Sequence, residues 1–317
     1  MIGKIKIAIL GASSHIAKGL INNFLSSKDF KLYLFSRTQR NVCDFLRSIG
    51  ISETGCEIHE GYDNFADSSY DAVINCVGVG TARKLQGDYT KYFTVTEEYD
   101  NMVLRYLNNN CPGALYISLS SGAVYGRECS VPAEEDSLNC IRVNNIAPED
   151  YYAVVRLNAE AKHRAFKGLK IVDLRIFSYF SRFADLADGY FITDIIDCIM
   201  NNKILITDGA DMVRDYLHPD DLFSMIVKCI NAGGINAAFD VVSARPVKKK
   251  EIIEYFFSQY GLRYKIEQAL GEDSATGFKS VYYSNYRSAE KIGYSPKFSS
   301  KDTIIQESNC ILKSKNV

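Results

Sequence analysis

Short apolar runs alternate with helix-patterned stretches through the first two-thirds of the chain. The runs IKIAIL (5–10), KLYLFS (31–36), DAVINCVG (71–78), ALYISLS (114–120) and KIVDLRIFS (170–178) are rich in β-branched and aromatic residues, as strands buried on both faces are. Between the first two, Ile16, Leu20, Ile21, Phe24 and Leu25 recur at helical spacing. Strand–helix–strand alternation predicts an α/β fold, a Rossmann-type doubly wound parallel sheet. Ligands of such sheets lie beyond the carboxyl ends of the strands.

After about residue 180 the pattern changes. Helical patterns over 191–201 and 248–260 mix with the short strand-like runs KILIT and AAFDVV, and YSPKF closes the ordered part. Residues 1–180 read as the sheet domain, to which later strands return, and 181–310 as a smaller C-terminal lobe interleaved with it. Residues 311–317 read as a tail.

Composition narrows the class. Apolar residues make up 47% of the 317 and charged residues 24%, the balance of a soluble globular protein. A net charge of −1 offers no basic field for nucleic acid or an acidic membrane. No apolar run approaches the ~18 residues of a membrane-spanning helix. MIGKIKIAIL interleaves lysines and then enters a Gly/Ser turn, as a first strand does and a signal peptide does not. Nine cysteines are scattered singly, without CxxC or Cys/His ligand spacing. They predict reduced thiols in the cytoplasm and no metal site.

The first turn, GASSHIAKG, follows a strand and opens a helix, where a dinucleotide site would place GxxGxxG. Gly11 is present; Ser14 and Ala17 hold the other two glycine positions. Both are small, and a serine hydroxyl can donate to phosphate, but the turn also reads as an ordinary strand–helix connection. The second strand ends FSRTQR, with Ser36 and Arg37 and no acid. An acid there would hold a ribose 2′-hydroxyl and an arginine suits a 2′-phosphate, so NADP is expected ahead of NAD.

The fourth run leads into SLSSGAVYG, and 31 residues after Ser121 stands Tyr152. A tyrosine is a poor acid/base at its ordinary pKa of about 10, and a neighbouring cation favours its phenolate. Arg156 is one helical turn on and shares its face. A serine hydroxyl beside such a pair makes a proton relay for a carbonyl or alcohol. Arg156 is also placed to form an i,i+4 ion pair with Glu160, a purely structural alternative.

These segments together resemble the extended short-chain dehydrogenase/reductases, the NAD-dependent epimerase/dehydratase family acting on nucleotide sugars. SSGAVYG matches the family's serine-strand motif, and Tyr152 with RLNAE matches YxxxKLxxE except for Arg156. LRIFSYFSR parallels LRxFNxYGP, with Ser178 and Ser181 in place of Asn and Gly. VRDYLHPDDL matches RDxxHVDDL, and SAEKIGYSPKFS the C-terminal KAxxLGxxP.

The resemblance implies Tyr152 as acid/base, Ser121 as the hydroxyl that orients the substrate oxygen, and Arg156 in place of the lysine that also holds the nicotinamide ribose. It implies cofactor contacts from Gly11, Ser13, Ser14, His15, Ile16, Val77, Gly78, Tyr152 and Arg156, joined by Ser36 and Arg37. Substrate contacts are implied for Ser121, Ser178 and Arg214, in a substrate-binding smaller lobe. His218 and Asp221 are read as structural. Family dehydratases follow the serine region with an acidic pair; Gly122 and Ala123 argue against that chemistry.

The expectation is an NADPH-dependent reductase of a nucleotide-linked 4-keto-6-deoxy sugar, acting as a homodimer. The alternatives are a nucleotide-sugar 4-epimerase with tightly bound NAD, and a non-catalytic dinucleotide-binding relative.

Overall fold

The computed structural model describes residues 3–51, 55–80, 82–127, 130–267 and 280–314. Six strands come first in the chain: β1 (Ile5–Leu10), β2 (Phe30–Ser36), β3 (Cys56–Glu60), β4 (Ala72–Asn75), β5 (Leu115–Ser121) and β6 (Lys170–Ile176). Then follow β7 (Ser178–Tyr179), β8 (Ile204–Asp208), β9 (Val213–Arg214), β10 (Tyr216–Leu217), β11 (Asn236–Val241), β12 (Val247–Lys248), β13 (Arg263–Glu267) and β14 (Val281–Tyr282). The helices are α1 (His15–Leu25), α2 (Gln39–Ser48), α3 (Ala82–Leu85), α4 (Thr90–Asn109), α5 (Pro148–Ala165), α6 (Phe191–Met200), α7 (Pro219–Asn231), α8 (Lys249–Tyr260) and α9 (Ser300–Lys313).

Seven parallel strands form the central sheet in the order β11-β6-β5-β4-β1-β2-β3. Ile7 and Ile9 face one side with Leu20 and Phe24 of α1 and Met225 of α7. Ala8 and Leu10 face the other with Val103 and Leu107 of α4. Covering on both faces is why all seven residues of β5 are buried and why these strands read as continuous apolar runs.

One assignment changes. β3, CEIHE, is a half-exposed edge strand whose polar residues suit an edge, so the serine strand is the fifth in the chain. AAFDVV is identified as the strand that returns to the sheet: β11 pairs with β6 from Asn236↔Ile171 to Val241↔Ile176.

A third apolar cluster joins α6, α8 and α9 through Ile195, Ile196, Ile252, Phe256, Ile304 and Ile311. Ile311 and Leu312 are buried in α9, so the expected tail from residue 311 is helical at its start; residues 315–317 lie outside the described residues.

α5 starts with Pro148, Glu149 and Asp150 and ends with Lys162, His163 and Arg164. Proline suits the first helical turn, and both charge groups complement the helix dipole.

Candidate active site

β1 and β4 are neighbours whose connections leave in opposite directions, which opens a crevice beyond their carboxyl ends. Gly11 sits there at φ +70, and a Cβ on it would lie 3.0 Å from the Cys76 carbonyl carbon and the Val77 nitrogen. Only glycine fits, on both conformational and steric grounds. Ser14 is the N-cap of α1, its hydroxyl accepting from the Ala17 N–H at 3.4 Å; that cap still leaves its proton to donate. Ile16 packs into the core.

Ser13 lines a shallow cleft of about 430 Å³ on the outer side of the turn, with Lys18, Asn41, Phe45 and Phe183. His15 turns toward the smaller lobe, 2.8 Å from Ser181 Oγ and edge-on to Tyr179. Burial lowers its pKa to about 4, so the ring is neutral.

At the end of β2 the two expected cofactor residues separate. Ser36 is 1% exposed and its hydroxyl donates to the Thr38 carbonyl at 2.7 Å, so its proton is committed within the turn. Arg37 is exposed. Tyr62 lies edge-on to Tyr99 at 4.7 Å, and its electrostatic neighbours include the Gly11 backbone and Arg37. Burial, with Tyr99 adding to it, raises its pKa to about 12, so it keeps its proton.

The inner face of α5 runs along β5 as a ladder. Ser120 donates to Glu160 at 2.6 Å, and Arg156 Nη1 donates to the Leu119 carbonyl at 3.1 Å. Tyr152, one helical turn nearer the helix start, packs against Tyr92 of α4 with ring centres 5.2 Å apart. The structural alternative fails, because Glu160 is taken by Ser120 and by both Nε and Nη2 of Arg175. The Arg156 guanidinium lies over the Tyr152 ring, 5.2 Å from its centre. Its Nη2 is 2.9 Å from where a Gly78 Cβ would be, and its Nε is buried without a hydrogen-bond partner. Val77 donates its N–H to Asn75 Oδ1, which fixes the strand exit below that guanidinium.

Ser121 ends β5 and caps a short turn, its hydroxyl accepting from the Ala123 N–H at 3.2 Å. It is also 3.0 Å from the Tyr282 hydroxyl. Arg214 in β9 donates to the Val213 carbonyl and places its guanidinium 5.9 Å from the Tyr282 ring centre. Ser121 and Arg214 thus meet through Tyr282. Ser178 is half-buried in β7, paired with Tyr216.

His218 caps α7 by accepting from the Asp220 N–H, and Asp221 accepts from the Lys297 and Phe298 N–H groups.

Two tyrosines of the site carry no sequence signal. Tyr282 stands in SVYYSNY, outside every motif. Tyr190, at the N-cap of α6, donates to the Gly80 carbonyl at 3.0 Å and has Tyr152 and Tyr92 among its electrostatic neighbours. Beside it Lys84 pairs with Asp188 at 2.7 Å. These two bonds tie the loop after β4 to the smaller lobe across the cleft.

The model of the NAD dependent epimerase/dehydratase family matches residues 7–241. No curated protein matches the sequence. Among solved structures, a variant of UDP-glucuronic acid 4-epimerase from Bacillus cereus, in complex with UDP-4-deoxy-4-fluoro-glucuronic acid and NAD, has TM-score 0.81 at 18% identity, over 98% of this chain and 100% of that one. UDP-N-acetylglucosamine 4-epimerase from Methanobrevibacter ruminantium gives 0.77 at 16%, over 99% and 100%. dTDP-glucose 4,6-dehydratase from Bacillus anthracis, in complex with NAD, gives 0.76 at 16%, over 98% of each chain. At such identities the likeness is one of fold. Among the described residues no helix is long and apolar enough to cross a membrane.

Proposed function

The chain belongs to the NAD dependent epimerase/dehydratase family, and from that premise we propose that it is a nucleotide-sugar 4-epimerase that keeps a nicotinamide dinucleotide between turnovers. The observation that carries this reading is the clasp of Lys84 on Asp188 and Tyr190 on the Gly80 carbonyl. It joins the segment that follows β4 to the smaller lobe, beside the place where a resident cofactor would lie. The 4-epimerases of similar fold, one of them in complex with NAD, support the same choice.

The site's residues fit a dinucleotide. Gly11 lets the first turn pack closely on the Cys76–Val77 backbone, the N-terminus of α1 would face a pyrophosphate, and Arg156 holds an unpartnered buried N–H that would lie at the nicotinamide end. When bound, the dinucleotide supplies the hydride chemistry. Tyr152 takes the proton of the sugar C4 hydroxyl in one direction and returns it in the other. Ser121 hydrogen-bonds the same oxygen, and Arg156 holds Tyr152 through its ring and anchors on the Leu119 carbonyl. Arg214 faces the nucleotide-sugar diphosphate.

Dehydration has no acid at the serine turn. A Cβ at Gly122 would lie 2.4 Å from the Phe177 ring, so no acidic side chain fits there.

One observation favours a second reading, reduction of a keto-sugar by NADPH: β2 ends in exposed Arg37 without an acid, which suits a 2′-phosphate. Denaturing the purified protein and identifying the released nucleotide separates the two. Released NAD, together with interconversion of UDP-sugar C4 epimers without added cofactor, is expected. No bound nucleotide, with NADPH consumed by 4-keto-6-deoxy nucleotide sugars, would replace the epimerase with the reductase.

Cysteines scattered singly, without CxxC spacing, support a reducing, cytoplasmic setting. Leu157, 39% exposed on the outer face of α5, supports a homodimer through α4 and α5.

A further inference from the structure

The catalytic role given to Ser121 requires its hydroxyl to donate toward a sugar oxygen, yet a serine hydroxyl has one proton and two acceptor positions and can point any of them at the substrate. We propose that Tyr282 is a positioning residue that removes this freedom: it donates its phenolic proton to Ser121 Oγ, so that the serine can act on the substrate only as a donor. The proposal rests on the reading of Ser121 and Tyr152 as an oxidoreduction site and concerns how that site is set.

Three observations on the page converge. Ser121 Oγ already accepts the Ala123 N–H at 3.2 Å as the cap of the turn, which uses one acceptor position and fixes the side-chain rotamer. The Tyr282 hydroxyl stands 3.0 Å away and occupies the second. Of the two hydroxyls the phenol is the stronger acid and hence the better donor, and the Arg214 guanidinium near its ring, 5.9 Å from the centre, strengthens it further. With both acceptor positions filled, the serine proton is the one function left to offer.

Tyr282 is also built to hold still. It is 8% exposed, its ring meets Phe177 edge-on at 5.1 Å, and β14 pairs with β9 at Tyr282↔Arg214. It reaches Ser121 from the far end of the sequence, 161 residues away. The smaller lobe therefore contributes to the hydroxyl chemistry of β5.

The test is a double-mutant cycle on the full chain, read with the nucleotide sugar that the wild type turns over. Tyr282→Phe keeps the ring between Arg214 and Phe177 and removes only the hydroxyl. We expect kcat to fall about tenfold, the rate equivalent of one hydrogen bond, with KM within about twofold. In a Ser121→Ala background the same change should have no further effect on kcat. An equal fall in both backgrounds, an effect confined to KM, or no effect would overturn the proposal.

3-Fluorotyrosine incorporated at position 282 keeps the shape and is a stronger acid, so it serves if the Phe variant does not fold. Ionised, it cannot donate, so the alkaline loss of kcat should move to lower pH; an unmoved profile overturns the proposal. Turnover of no nucleotide sugar by the wild type is a different failure: it removes the reading of the site and the proposal with it.

Discussion

The two ends of α5 carry polar clusters in different states of pairing. At the C-terminal end every charge is matched. Glu160 accepts from Ser120 and Arg175. His163, fully buried, bridges Asp173 at 2.8 Å and Asp100 at 2.7 Å, and Lys162 and Arg164 complete those carboxylates. At the N-terminal end, two turns away, Tyr152 makes no hydrogen bond among the described residues, and Arg156 keeps its Nε unpartnered. Arg164 Nε and Nη1 at the other end lack hydrogen-bond partners as well, but that guanidinium is paired with Asp173, whereas the Arg156 guanidinium faces no carboxylate among the described residues. One helix is thus a strut at one end and carries the proposed reaction surface at the other, and ion pairing tells the two apart.

The largest expected effect breaks the comparison at the reactive end. Tyr152→Phe should lower turnover by about 100- to 10,000-fold, the usual worth of a general acid/base, and leave thermal stability within a degree or two, because no bond of the fold is lost. A drop in Tm of the size expected at the other end would show that Tyr152 is structural.

Next in size is the matched end, where the same operation should act on stability. Asp173→Ala strands both His163 and Arg164, and breaking a buried pair costs about 3–5 kcal/mol, read as a lower denaturation midpoint. The same cluster has a pH signature. Burial opposes the charge on His163, but hydrogen bonds to Asp100 and Asp173 raise its pKa to about 9, against about 6.5 unfolded. The folded chain therefore holds a proton that the unfolded chain releases above pH 6.5. Its stabilisation is complete below that pH and is lost as pH rises through about 9. Wild type should lose more Tm than His163→Gln between pH 6.5 and 9.5; parallel curves would mean that the histidine is not charged in the fold.

The difference between the two ends also explains what was legible in the sequence. The sheet was, because strands covered on both faces leave apolar runs; β3 was not, because an edge strand such as CEIHE carries little apolar signal. Tyr152, Arg156 and Ser121 stood in segments whose spacing carries chemistry. Tyr282 and Tyr190 are two of 21 tyrosines, and the packing that brings them to the cleft involves partners 161 and 110 residues distant. Ser36 is expected to contact the cofactor because of its position at the strand end; that its proton goes to the Thr38 carbonyl depends on the turn, which no spacing specifies. Glu160 likewise had one readable partner, Arg156, and only the register of α5 on β5 and β6 gives it Ser120 and Arg175 instead.

The smallest expected effect sharpens the comparison instead of breaking it. Arg156 stands where family relatives carry lysine, and its contacts separate what the charge does from what the planar fork does. The charge sits over the Tyr152 ring; the fork adds one bond, to the Leu119 carbonyl, and one close approach, to Gly78, where a Cβ would crowd Nη2. Lysine keeps the charge, drops the unpartnered Nε and gives up the fork. Arg156→Lys should therefore keep turnover within about tenfold of wild type and stability within about 1 kcal/mol, the scale of one ordinary hydrogen bond. Arg156→Met removes the charge and should lose considerably more turnover at similar stability. Should the lysine variant fall as far as the methionine one, the fork and not the charge is what Tyr152 needs, and Gly78→Ala, which crowds the fork alone, should then reproduce the loss.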